Sequence, residues 1–175
     1  MTSISIHFLN GEELDTEAQA LGQIMAQTVE DGAAIGFMQP VATADGVAFF
    51  TGQVFPEVRA GRRVLLVARL DGETVGSVQL IIALPPNQPH RCEVAKMMVA
   101  PAARRKGVGR ALLQALDAQA RAAGKTLVTL DTKTGDKAEP LYKAAGFITA
   151  GVIPGFALDP DGQAKHATTY MYKAL

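Results

Sequence analysis

The chain has 175 residues, of which 48% are hydrophobic and 19% charged, and its formal net charge is zero. That composition supports a packed core and excludes a disordered chain, and the length suits one domain over residues 1–175. The neutral balance argues against a general nucleic-acid binder, so any anion site must be a local cluster.

The start, MTSISIHFLN, has neither a basic stretch nor a long apolar core, so no signal peptide is expected. No run of 18 apolar residues occurs, so no membrane span is expected either. The single cysteine, Cys92, allows no internal disulfide and fits a reducing cytoplasm. Ile4, Ile6 and Phe8 alternate with polar residues, which predicts a first strand. Leu14, Ala18, Leu21 and Met25 recur at helical spacing, and Gly32 is placed to end that helix. A second helix is expected from Thr43 to Gly61, kinked or broken at Pro56. The runs RVLLVARL and TVGSVQLIIAL flank Asp71-Gly72, a strong hairpin signal. LPPNQPHR reads as a loop, CEVAKMMV as a strand, GVGRALLQALDAQARAAG as a helix and TLVTLD as a strand. That strand-helix-strand unit predicts a parallel crossover. A short helix around AEPLYKAAG follows, then two strands, ITAGVIPGF and ATTYMYKAL, joined across Asp159 to Gly162. The order predicts an α/β fold: a mixed sheet with helices on both faces.

One stretch stands apart. In MMVAPAARRKGVGRALL, residues 97–113, an apolar strand meets a proline, a basic cluster, two glycines and a helix. The first N–H groups of a helix have no partner within it, and the helix dipole is positive there. Gly107 and Gly109 leave room for a diphosphate beside the backbone, and Arg104, Arg105, Lys106 and Arg110 add charge. A solvated basic turn at a helix start satisfies the same spacing. The Walker pattern is absent, and the dinucleotide fingerprint fails because Leu112 stands where its third glycine belongs.

Context narrows the choice. Arg104-x-x-Gly107-x-Gly109 resembles the coenzyme A loop of the Gcn5-related N-acetyltransferases. Glu93 to Val99 resembles that family's fourth strand, and Leu141-Tyr142-x-x-x-Gly146-Phe147 resembles its helix exit. The segments GFM (36–38), VAKMMV, LDT (130–132) and the C-terminal tail resemble the branch that includes the tabtoxin-resistance acetyltransferase. That branch acetylates a small amino-acid-like antimetabolite, which brings antibiotic-type resistance into the expected roles.

The resemblance implies a mostly antiparallel sheet with a central, splayed parallel pair. It also implies acetyl-CoA as cosubstrate, with direct attack by an amine. The pantetheine arm would lie along Met97, Met98 and Val99 as an added strand, and the diphosphate over residues 104–110, Val108 included. Many members carry Asn where this chain has Gly135, so that contact to the arm is lost or passes to a backbone group. Tyr142 is the implied general acid, and its place in the motif favours it over Tyr170 and Tyr172.

Two carboxylates compete for the base. Glu93 stands where some members carry one. Asp131 ends a strand beside the expected splay, and is ranked slightly higher. An amine that arrives neutral needs neither. Phe37, Met38 and residues 153–156 are candidates for the acceptor pocket. His7, His90 and His166 share no metal spacing, so no metal is expected. Cys92 reads as a small buried residue rather than a nucleophile. Three functions remain open: a small-amine acetyltransferase, a protein N-terminal or lysine acetyltransferase, and a coenzyme A-binding module without turnover. The sequence does not give the oligomeric state, although the long apolar final strand could support a homodimer.

Overall fold

The computed structural model describes residues 3–175. Seven strands form one sheet: β1 (Ile4–Phe8), β2 (Arg63–Leu70), β3 (Glu73–Ile81), β4 (Arg91–Val99), β5 (Leu127–Lys133), β6 (Ile148–Leu158) and β7 (Lys165–Ala174). Their order across the sheet is β1-β2-β3-β4-β5-β7-β6, and every pairing is antiparallel except β4 with β5. The helices are α1 (Leu14–Glu30), α2 (Thr43–Phe49), α3 (Phe55–Arg59), α4 (Val108–Ala122) and α5 (Ala138–Ala144). α4 supplies the crossover between β4 and β5. The mixed, mostly antiparallel sheet read from the sequence is the one observed.

Local chemistry explains the turns. Asp71 and Gly72 both adopt positive φ (51° and 92°), which a two-residue turn matched to strand twist requires. The break expected at Pro56 takes the form of a π turn over Phe50–Val54, closed by the Phe55 N–H donating to the Phe50 carbonyl. Pro56 has no N–H and its ring would press on the carbonyl four residues back, so a wider turn ahead of it relieves both conflicts.

Strand alternation feeds two cores. Val64, Leu66 and Ala68 of β2 face one side, where Val108, Leu112, Leu116 and Ala120 of α4 cover them. Leu65 and Val67 face the other, under Leu21 and Met25 of α1 and Phe50, Val54 and Phe55 of the π-turn region. α1 and α2 meet through two glycines. A Cβ on Gly46 would lie 2.6 Å from the Gly22 carbonyl oxygen, and one on Gly22 would lie 2.7 Å from the Thr43 carbonyl oxygen. Both obstacles are backbone and cannot rotate away. Gly46→Ala is therefore expected to destabilise the protein by about 2 kcal/mol, within the usual range for overpacking. Thermal unfolding checks this, with an expected drop in Tm of roughly 4–8 °C for a chain of this size.

The final strand is not placed to join two copies edge to edge. β7 lies between β5 and β6, so both of its edges are already paired. The outer strand is β6, on which Ile148, Val152, Ile153, Phe156 and Leu158 are exposed.

Candidate active site

The sheet opens in its middle. β4 and β5 pair only from Arg91 to Glu93 with Leu127 to Thr129, and beyond those residues the strands part. β4 also bulges. Ser77 of β3 stands opposite Met98, but Gln79 stands opposite Ala95, so β4 carries one residue more than its neighbour over that interval. Lys96 takes up the irregularity at φ 49°. Parting strands leave one edge of β4 without a backbone partner, and a bulge re-aims the groups beside it. A cavity of about 1150 Å³ runs over this opening, lined from both halves of the sheet.

At one end of the cavity lies the loop that the sequence singled out. Arg105 (φ 62°) and Gly107 (φ 88°) are both left-handed, which folds the backbone N–H groups toward a common concavity. Among the described residues, the amides of 105–110 have no acceptor; the first satisfied one is Ala111, which donates to Gly107. Unpaired amides, a left-handed turn and the N-terminus of a 15-residue helix together form an anion cradle. Arg105, Gly107, Val108, Gly109 and Arg110 line the cavity, as do Met97 and Val99. Gly109 has a second reason to lack a side chain, since a Cβ there would lie 2.9 Å from Leu141 Cδ2 of α5.

Other predicted residues sit differently. Arg104 lines the cavity, but its guanidinium is engaged: it is ion-paired with Asp31 and donates through Nε to the Val99 carbonyl at 3.3 Å. That pair holds the Asp31 carboxyl below its ordinary pKa. Arg104 thus ties the end of α1 to the loop. Met98 points into the core under α1, and Lys106 faces solvent. The Gly135 amide donates to Glu139 Oε2 at 2.8 Å, which leaves only its carbonyl free to face another molecule.

The three candidate catalytic residues all line the cavity. Tyr142 of α5 is only 5% exposed and packs edge-on against Phe147, with ring centroids 5.8 Å apart. Burial pushes its pKa above the usual phenol value, and the charges of Asp131 and Asp136 push the same way. No hydrogen bond to its hydroxyl occurs among the described residues. Asp131 accepts from Thr168 Oγ1 at 2.8 Å through Oδ2. Glu93 is ion-paired with Arg91 at 3.3 Å. Cys92 is fully buried, and burial pushes its thiol pKa up to about 11, which suits packing and not nucleophilic attack.

Two features escaped the sequence. His166 reads there as a scattered histidine, yet it lines the cavity with Nδ1 3.0 Å from Asp159 Oδ1. Asp159 is held in turn by Lys133 at 2.5 Å. The β6–β7 register, with Ala157 opposite His166, makes the pair. A symmetric count outward from the predicted turn, Asp159 to Gly162, would set His166 opposite Gly155; the observed register is shifted by two residues. The second feature is a pair of cations, Arg63 and Lys96, in the wall that also holds Phe37 and Met38. Residues 153–156 lie within β6, as the strand reading of ITAGVIPGF expects, at a register irregularity, and Phe156 reaches the cavity.

The family profile described as Acetyltransferase (GNAT) family matches residues 40–147. An uncharacterised N-acetyltransferase of the hisH-hisA intergenic region in Azospirillum brasilense is 34% identical over 115 residues, which is 64% of this chain and 66% of that protein. The matched stretch thus spans just under two thirds of the relative's length. Among solved structures, a ribosomal-protein-alanine N-acetyltransferase from Brucella melitensis superposes with a TM-score of 0.79 at 24% identity, covering 98% of this chain and 99% of the other. The yncA protein of Salmonella typhimurium, solved with its cofactor acetyl-CoA, superposes with a TM-score of 0.77 at 22% identity, covering 98% and 94%. At those identities the likeness is one of fold.

Proposed function

Since the chain belongs to the acetyltransferase (GNAT) family, we propose that it transfers the acetyl group of acetyl-CoA to the amine of a small, amino-acid-like molecule. The observation that carries this reading is the unpaired amide cradle at residues 105–110, which opens into a cavity over parted strands. A diphosphate fits that cradle, and an extended arm fits the free edge of β4 as an added strand.

Acetyl-CoA supplies the acetyl group as a thioester that a neutral amine can attack. The chain's own residues do the rest. Arg105 and Arg110 add charge beside the cradle amides. Backbone groups of Met97 to Val99 hold the arm, so apolar side chains are tolerated there. Asp131 takes the amine proton on Oδ1, because Oδ2 is occupied by Thr168. Glu93 is the alternative acceptor, through a water. Tyr142 returns a proton to the departing sulfur. The lone pair of the attacking nitrogen replaces the carbon–sulfur bond, so one proton leaves the amine and one reaches the thiolate.

Asp131→Asn is expected to lower kcat about a hundredfold, the low end for one acid–base group, and Glu93→Gln less. Steady-state kinetics of both variants check the ranking; the reverse order moves the base to Glu93. The function itself is tested by titrating coenzyme A into the protein and assaying free-thiol release from acetyl-CoA with a panel of small amines. Binding without turnover on any amine or peptide would make the chain a coenzyme A-binding module. Turnover on peptides alone would move the acceptor to a protein terminus or lysine.

A further inference from the structure

We infer that the acceptor half of the cavity holds an anion subsite built from Arg63 and Lys96, so that the acceptor is a zwitterion carrying a compact oxyanion near its amine. The inference rests on the acetyltransferase reading above and names what that site selects.

Arg63 opens β2 and stands opposite Ile81, which in turn stands opposite Glu93, so the three lie abreast on adjacent strands. Its Nη1 donates to Gln79 Oε1 at 2.5 Å, while its Nε is buried with no partner. Gln79 is fully buried, and its own Nε2 is also unpartnered. Lys96, at the bulge of β4, donates to the Ile35 carbonyl at 2.6 Å, and its Nζ lies 5.5 Å from the centre of the Phe37 ring. Neither cation has a carboxylate within ion-pair distance among the described residues. Burial lowers the pKa of both; the Arg63 charge lowers that of Lys96 further, and Glu57 and Asp131 act on Arg63 and Lys96 in the opposite sense from beyond ion-pair distance. Removing charges from water without a counter-ion is costly, so a paired cation site in a cavity favours an anionic guest.

That guest is not the coenzyme's diphosphate. The diphosphate cradle lies at the start of α4, after β4 has ended, whereas Arg63 sits at the opposite end of the sheet interval, level with Glu93. The anion must therefore belong to the acceptor. The acids fix the other end. Adjacent strands lie roughly 4.8 Å apart, so the backbones at Arg63 and Glu93, two strands apart, are about 10 Å apart. Asp131 lies one strand further on. Side chains reaching inward from both sides leave room for a molecule of amino-acid size. Its anion faces Arg63 and Lys96, and its amine faces the carboxylates. The planar guanidinium suits carboxylate, phosphinate or sulfonate alike.

The experiment compares free L-amino acids with their C-terminal amides as acceptors for the wild-type protein, each as kcat/KM. At least one free acid is expected to exceed its amide tenfold or more. In Arg63→Met that preference is expected to shrink at least tenfold. In Arg63→Lys, which keeps a charge and loses the fork, the preference is expected to shrink less. Coenzyme A titration reports that each variant is folded, and Lys96→Met provides an independent second variant. Amides accepted as well as acids would overturn the anion subsite and leave the acetyltransferase reading intact. If neither set is acetylated, calorimetric titration of the amino acids into the coenzyme A-saturated protein decides: heat lost in Arg63→Met upholds the subsite, and no heat in the wild type overturns it. Failure to bind coenzyme A or to turn over any amine would fall on the acetyltransferase reading, and the same titration without coenzyme would still judge the subsite.

Discussion

Tyr142→Phe is expected to lower kcat on the order of a hundredfold or more, the usual scale for one lost acid–base group, with coenzyme A affinity nearly unchanged. The substitution keeps the ring that packs against Phe147 and removes only the hydroxyl, which has no protein partner to strand. Stability should therefore hold. Steady-state kinetics with acetyl-CoA and any accepted amine measure the effect. Activity within twofold of the parent would make Tyr142 a packing residue. The pH profile offers a second measure. A raised pKa means that Tyr142 keeps its proton beyond the ordinary phenol value of about 10. The acid form needed for catalysis is thus present throughout the working range. Any fall in kcat that comes from ionisation of Tyr142 must then lie above that value, and a fall below it would have to arise from another group.

Gly109→Glu is expected to weaken coenzyme A binding at least a hundredfold, roughly 2.8 kcal/mol at 1.4 per tenfold. The new carboxylate would stand among amides aimed at an anion, with like charge and bulk where the ligand must sit. The contact with Leu141 is a separate effect, because a Cβ alone displaces the tip of that side chain. Gly109→Ala isolates it. The alanine variant should lose some stability and little affinity, whereas the glutamate variant should lose affinity far beyond that. Calorimetric titration of both variants with coenzyme A separates the two effects. Equal losses in the two would show that Gly109 serves helix packing alone.

The sequence was legible where local chemistry decides the outcome. Asp71-Gly72 forces its turn, the spacing from Val108 to Ala120 seats α4, and the glycines at 107 and 109 mark the cradle. It was opaque where partners come from afar. Nothing near Arg104 announces that Asp31, at the end of α1, claims its guanidinium. Arg63 heads the run RVLLVARL and reads as the polar start of a strand; only the pairing with β3 sets it beside Gln79. Lys96 interrupts the alternation of β4, which hints at the bulge, but its destination at Ile35 depends on where the loop before α2 runs. His166 became visible only once the β6–β7 hairpin fixed its register.

The brief ladder between β4 and β5 has a wider consequence. Among the described residues, three paired positions, together with the His90 carbonyl just before them, stitch the β1–β4 leaf to the β5–β7 leaf along the backbone. A molecule wedged in that seam would do the work of a missing strand, binding the two leaves together. The free protein should then breathe at the seam, and ligand should suppress that opening by mass action. Hydrogen–deuterium exchange would read it directly. The inner edges of β4 and β5 beyond Glu93 and Thr129 should exchange fast in the free protein and slowly with coenzyme A, while the paired β2–β3 hairpin should exchange alike in both. Substrate capture and mechanical cohesion would then be one event.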